Sequence, residues 1–191
     1  MVAAREVDTV EWSRLKGSWM RLWTVPALDG AVSVVARPLG DENLWGEVEE
    51  IRAAGVDVLV PMLEHGEIPI LGLLDEELVA PVAGLRFFNL PTVDQEPPAS
   101  NPSTVELITT LAEIVATGGH VAVHCRAGQG RSPALAAAIL VMTGYSAEAA
   151  MSALSEVRGH RVPHRSAQRG SSPVEWCSAA CSVEGSGGEG R

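Results

Sequence analysis

Cys125, Arg131 and Ser132 stand close together in the segment Val121-Ala-Val-His-Cys-Arg-Ala-Gly-Gln-Gly-Arg-Ser132. Five residues separate the cysteine from Arg131. The segment places a nucleophile and an anion receptor on one short loop. A free thiol titrates at about 8.5, and a helix N-terminus with neighbouring cations lowers that by several units. Cys125 is therefore expected to be a thiolate at neutral pH. A thiolate facing a bound phosphate can attack phosphorus and split hydrolysis into two steps. The Ser132 hydroxyl is within sequence reach of the sulfur, and His124 can help fix the loop.

The flanking residues say what must position these groups. An apolar strand, His120 to His124, ends at the cysteine. A loop with Gly128 and Gly130 follows, and an alanine-rich helix is expected from Arg131 to Thr143. Ligands of open α/β sheets bind outside the carboxyl ends of strands, where such loops lie. The backbone of Arg126, Ala127, Gly128, Gln129 and Gly130 is expected to curl into an anion nest. The helix start adds unpaired N–H donors. Arg131 presents a planar fork that matches two phosphate oxygens.

Expulsion of an alkoxide or phenoxide from phosphorus needs a proton donor. A carboxyl group on a mobile loop beside the pocket suits this role. Asp94 lies in Leu-Pro-Thr-Val-Asp-Gln-Glu-Pro-Pro, after an expected strand from Leu85 to Leu90. Glu96, on the same loop, is the alternative. Asp75, Glu76 and Glu77 read as charges near a helix start. Glu64 and His65 suggest a turn near the pocket and receive no role.

His-Cys-x5-Arg-Ser, with Gly128 in register, resembles the signature of the protein tyrosine phosphatase superfamily. Residues from about 20 to 168 look like the compact, bacterial-type dual-specificity phosphatases. The resemblance implies that Cys125 is the nucleophile, that Arg131 binds phosphate and stabilises the transition state, and that Ser132 assists breakdown of the phosphoenzyme. It places the general acid about thirty residues before the cysteine, and Asp94 precedes Cys125 by 31. Arg161-Val-Pro-His-Arg-Ser-Ala-Gln168 resembles the segment in which relatives carry a water-positioning glutamine, here Gln168. Relatives continue with an amphipathic helix, whereas Arg169-Gly-Ser-Ser-Pro breaks that pattern. A sulfurtransferase of rhodanese type is a rival, but its loops are generally one residue shorter. Low-molecular-weight phosphatases share the spacing near the N-terminus, not two-thirds along the chain.

The rest of the chain sets bounds. Its 191 residues suit one domain with a substantial core. Alternating strands and helices imply an α/β fold, with a mainly parallel central sheet flanked by helices. A strand pair is expected at Arg21 to Val25 and Ala31 to Ala36, turning at Asp29-Gly30. Helices are expected at Glu42 to Ala54, Leu71 to Val82, Ser103 to Thr117 and from Ser146 to about Arg158, and a doubly buried strand at Val56 to Leu63. Residues 1–19 read as an arm, 20–169 as the phosphatase domain and 170–191 as a disordered Ser/Gly-rich tail.

A net charge of −10 disfavours a nucleic-acid partner. Lys16 is the only lysine, so arginine carries nearly all the positive charge. Three cysteines do not suggest a disulfide scaffold; Cys177 and Cys181, one helical turn apart, read as free thiols in the tail, with a disulfide or a redox partnership with Cys125 as the alternatives. The early residues lack the apolar core of a signal peptide, and no apolar run spans a bilayer, so the cytoplasm is the expected location. His160 and His164 lack further ligands nearby, and neither a metal nor another cofactor is expected. The expected partner is a phosphorylated protein, with phosphotyrosine, phosphoserine and phosphothreonine all admitted by a shallow pocket. A small phosphorylated metabolite, a phosphoinositide or a catalytically silent phosphoprotein-binding module are the alternatives. Ala127 and Gln129 stand where phosphoinositide-directed relatives tend to carry lysines.

Overall fold

The computed structural model describes residues 21–96, 98–99 and 101–162. The expected arm and tail, Gln168, Cys177 and Cys181 lie outside them. Strands β1 (Leu22–Ala27) and β2 (Gly30–Val35) form an antiparallel hairpin in which Ala27 pairs with Gly30. The turn is thus Leu28-Asp29, one residue earlier than expected, with Leu28 at φ 50. Gly30 is needed for close packing. A Cβ there would lie 2.2 Å from the Gly119 carbonyl oxygen and 2.5 Å from that of Val115.

A 3-10 turn (Asp41–Asn43) leads into α1 (Leu44–Ala53), which buries Leu44, Val48 and Ile51 as its spacing requires. Then follow β3 (Val58–Pro61), α2 (Glu67–Ile70), α3 (Glu76–Val82), β4 (Arg86–Phe87) and α4 (Pro102–Ala116). The chain ends its described part with β5 (His120–His124), α5 (Arg131–Met142) and α6 (Ala147–Arg158). Asn101 and Ser146 cap α4 and α6 by accepting from the Thr104 and Ala149 N–H groups.

The helix expected over Leu71 to Val82 starts only at Glu76, because Leu71 to Asp75 form the break between α2 and α3. Gly72 adopts φ 69 and accepts a backbone hydrogen bond from Asp41 at 2.8 Å. Leu73 turns into the core, 2% exposed. That docking outweighs the helical spacing.

The sheet order is β1-β2-β5-β3-β4, and all neighbours except β1 and β2 run parallel. Alternation along the strands makes two cores. Val58, Val60, Val121 and Val123 join one core with residues of α4, α5 and α6. Leu59 and Ala122 join the other with residues of α1 and α3. Helices therefore cover both faces, and β5 sits at the centre. Its carboxyl end emerges between β2 and β3, where the segments after β3 and β4 also gather: Met62 donates to the His124 carbonyl and Leu90 to that of Pro61. Among the described residues no helix is long and apolar enough to cross a membrane.

Candidate active site

The loop from Cys125 to Gly130 joins β5 to α5, as expected. Cys125 is buried, 3% exposed. Sγ accepts a hydrogen bond from the Gly128 N–H at 3.3 Å and lies 3.3 Å from Ser132 Oγ. Gly128 adopts φ 64, a conformation open to glycine at little cost. That left-handed step turns its N–H back onto the sulfur. Gly130 needs no left-handed angle, with φ −125 at the helix N-cap. Arg126, Ala127 and Gln129 are exposed around the loop.

Arg131 is 2% exposed and is held by four protein groups. Its Nη1 donates to Glu67 Oε2 at 2.6 Å, to the Thr92 carbonyl at 3.0 Å and to the Met62 carbonyl at 3.2 Å. Its Nη2 donates to Glu67 Oε1 at 3.0 Å and lies 3.3 Å from Asp94 Oδ1. Burial alone would lower its pKa. The Glu67 hydrogen bonds and the negative charges of Cys125, Glu67 and Asp94 outweigh burial and raise it. The guanidinium is thus oriented and charged. Both Nη atoms are engaged by protein groups, so an incoming oxyanion meets Nε directly and Nη2 only in place of Asp94.

Asp94 sits on a turn in which Glu96 N–H donates to the Val93 carbonyl and Gln95 takes φ 65. Its side chain is 58% exposed. Its own N–H donates to Glu64 Oε1 at 3.1 Å, so the segment after β3 tethers this turn. Glu64 N–H in turn donates to Glu67 Oε2 at 3.0 Å. Glu96 is exposed. The structure therefore brings Asp94, the favoured carboxylate, onto Arg131.

His124 is fully buried, and its Nε2 meets Glu76 Oε1 at 2.8 Å. Glu76 is only 4% exposed. The expectation that Glu76 is merely a charge at a helix start is corrected: it opens α3 but points into the protein, because the buried imidazole needs a partner.

Cys125, Ser132, Arg131 and Asp94 are thus brought together, with His124 behind them. Glu64, Glu67 and Glu76 were not assigned roles from the sequence. The one available signal was that Glu64 and Glu67 follow directly on a doubly buried strand, at the sheet edge where ligands bind.

The family described as "Dual specificity phosphatase, catalytic domain" matches residues 75–169. Among solved structures, the chain is similar to kinase associated phosphatase with a serine in place of its catalytic-site cysteine. That likeness has 17% identity and a TM-score of 0.69, over 88% of this chain and 96% of the other. Tk-PTP in its active form is 25% identical with a TM-score of 0.58, over 82% and 92%. PTPMT1 in complex with PI(5)P is 23% identical with a TM-score of 0.61, over 85% and 99%. No curated protein sequence matches the chain significantly. A dual-specificity-type domain match whose cysteine loop joins β5 to α5 places this chain in the protein tyrosine phosphatase superfamily, among its compact dual-specificity-like members.

Proposed function

We propose that the protein is a phosphatase that hydrolyses phosphate monoesters through a cysteinyl-phosphate intermediate on Cys125. The observation that carries this reading is the sulfur's position. Sγ is gripped by the Gly128 N–H and faced by Ser132 Oγ, at the start of α5 and on the loop that leads to Arg131. In the first step the thiolate attacks phosphorus, and the bond to the leaving oxygen breaks. Asp94 gives that oxygen its proton. Arg131 and the loop amides hold the equatorial oxygens. In the second step Asp94, now a carboxylate, takes a proton from water as the water displaces sulfur. Ser132 donates to the departing thiolate. Gln168 is proposed to orient that water.

The proposed substrates are proteins carrying phosphotyrosine and phosphoserine or phosphothreonine. The shallow pocket expected of compact relatives and the lack of lysines in the Cys125 loop favour these over inositol lipids. Wild type should release a burst of para-nitrophenol from para-nitrophenyl phosphate, and Cys125→Ser should release none. Tight phosphopeptide binding without turnover would identify a binding module instead, and turnover of thiosulfate a sulfurtransferase.

A further inference from the structure

Two guanidinium groups feel the charge of Cys125, and they differ in their company. Arg131 is matched by the Glu67 carboxylate through two hydrogen bonds, with Asp94 close by. Its charge is therefore shared with two carboxylates before any anion arrives. Arg158, the last residue of α6, is 9% exposed and forms no ion pair among the described residues. Its Nε and Nη1 are buried and have no hydrogen-bond acceptor among the described residues. Its guanidinium lies over the Trp23 ring on β1, 3.6 Å from the centroid. A Cβ on Gly128 would lie 3.6 Å from its Nη2 and 3.7 Å from its Nη1. Gly128 is the residue whose N–H holds the sulfur.

Burying a cation without a partner is costly. The ring face offsets part of that cost, and the carbonyl end of α6 offsets more. Burial pulls Arg158 below the ordinary arginine range, and the Cys125 charge pushes it back up.

We propose that Arg158 is a positioning residue, a second cation that stabilises the Cys125 thiolate through the loop while the Trp23 ring shields it from water. The other polar and charged groups around the sulfur are accounted for. Ser132 is neutral, Arg131 is paired with Glu67 and Asp94, and His124 is paired with Glu76. Arg126 lies exposed on the loop, so among the described residues Arg158 is the buried cation near the sulfur with no ion pair. This inference rests on Cys125 being the nucleophile, but its test needs no turnover.

The test is alkylation of the full chain by iodoacetamide from about pH 4 to pH 8, read by mass spectrometry on the peptide containing Cys125. In Arg158→Met the pH of half-maximal alkylation rate should rise by about one unit, because a positive charge packed against the sulfur's loop is lost. Arg158→Lys keeps the charge and should stay near wild type. A purely structural role would slow turnover at every pH and leave the alkylation midpoint in place. A wild-type midpoint in folded Arg158→Met overturns the proposal, as does an equal shift in the Lys and Met variants. If Arg158→Met does not fold, Trp23→Leu takes its place. Water then reaches the guanidinium, the midpoint should rise by several tenths of a unit, and an unmoved midpoint overturns the proposal.

Discussion

Glu67 and Arg131 meet through both oxygens of one and both Nη atoms of the other, at 2.6 and 3.0 Å. A residue on a four-residue helix after β3 thereby sets the plane of the guanidinium that starts α5. The fork is pre-organised, so little rotamer entropy is left to lose when an oxyanion binds.

Replacing Glu67 by Gln should therefore damage catalysis without removing any group that touches substrate. The fork loses its charged partner and swings, and kcat/KM on para-nitrophenyl phosphate should fall about a hundredfold. The same variant reports on acid stability. The Arg131 hydrogen bond holds the Glu67 carboxyl below its ordinary range, and the Glu64 N–H and the charges of Arg131 and Arg126 act the same way against burial. A depressed carboxyl contributes stability above its unfolded pKa and loses it as pH falls through the folded one. Urea midpoints measured from neutral to acid pH should fall less steeply in Glu67→Gln. Parallel curves for the two proteins would refute this assignment.

Asp94 and its tether should separate by leaving group. Asp94→Ala removes the proton donor, so turnover of phenyl phosphate should drop about a hundredfold or more. Para-nitrophenyl phosphate, whose leaving group needs little protonation, should be affected far less. Glu64→Ala frees the turn that carries Asp94 and should give the same pattern with a smaller amplitude. Equal slowing on both substrates in Asp94→Ala would remove Asp94 from the role of acid.

Glu76→Ala should cost stability of about 3 kcal/mol, because it strands a fully buried imidazole. Glu76→Gln retains a hydrogen bond and should cost about 1 kcal/mol. Chemical denaturation at neutral pH measures both. A loss below half a kcal/mol in the alanine variant would mean that the pair contributes little to the fold.

His120 begins β5 at the end of the sheet away from the site, and its Nε2 lies 2.7 Å from Ser33 Oγ. Burial lowers its pKa, only partly opposed by the Asp57 charge and the Gly55 backbone bond. The unfolded chain thus binds the proton more readily than the folded one. Stability from this group is complete above the unfolded histidine range and is lost as pH falls below about 6.5. His120→Gln, which does not titrate, should flatten the stability curve just below about pH 6.5. A slope unchanged from wild type would place the titrating group elsewhere.

Local chemistry in the sequence was enough to read the strand, loop and helix around Cys125. Each depends on neighbours a few residues away: a short apolar run for β5, glycines for the turn, an alanine-rich helix after Arg131. Spacing likewise located α1, α6 with its Ser146 cap, and the alternation that puts helices on both faces of the sheet. It misjudged Leu71 to Val82, where Gly72 docks on Asp41 from a distant part of the chain, and the turn at Leu28-Asp29, where Gly30 is reserved for contact with residues near 119. The partners of the reactive groups were decided only by tertiary structure. Glu67 is 64 residues from Arg131, and Glu76 is 48 from His124. Such pairs carry no periodic signal. They form because the strand order brings the ends of β3 and β5 side by side and buries a charge or an imidazole that must then find a partner.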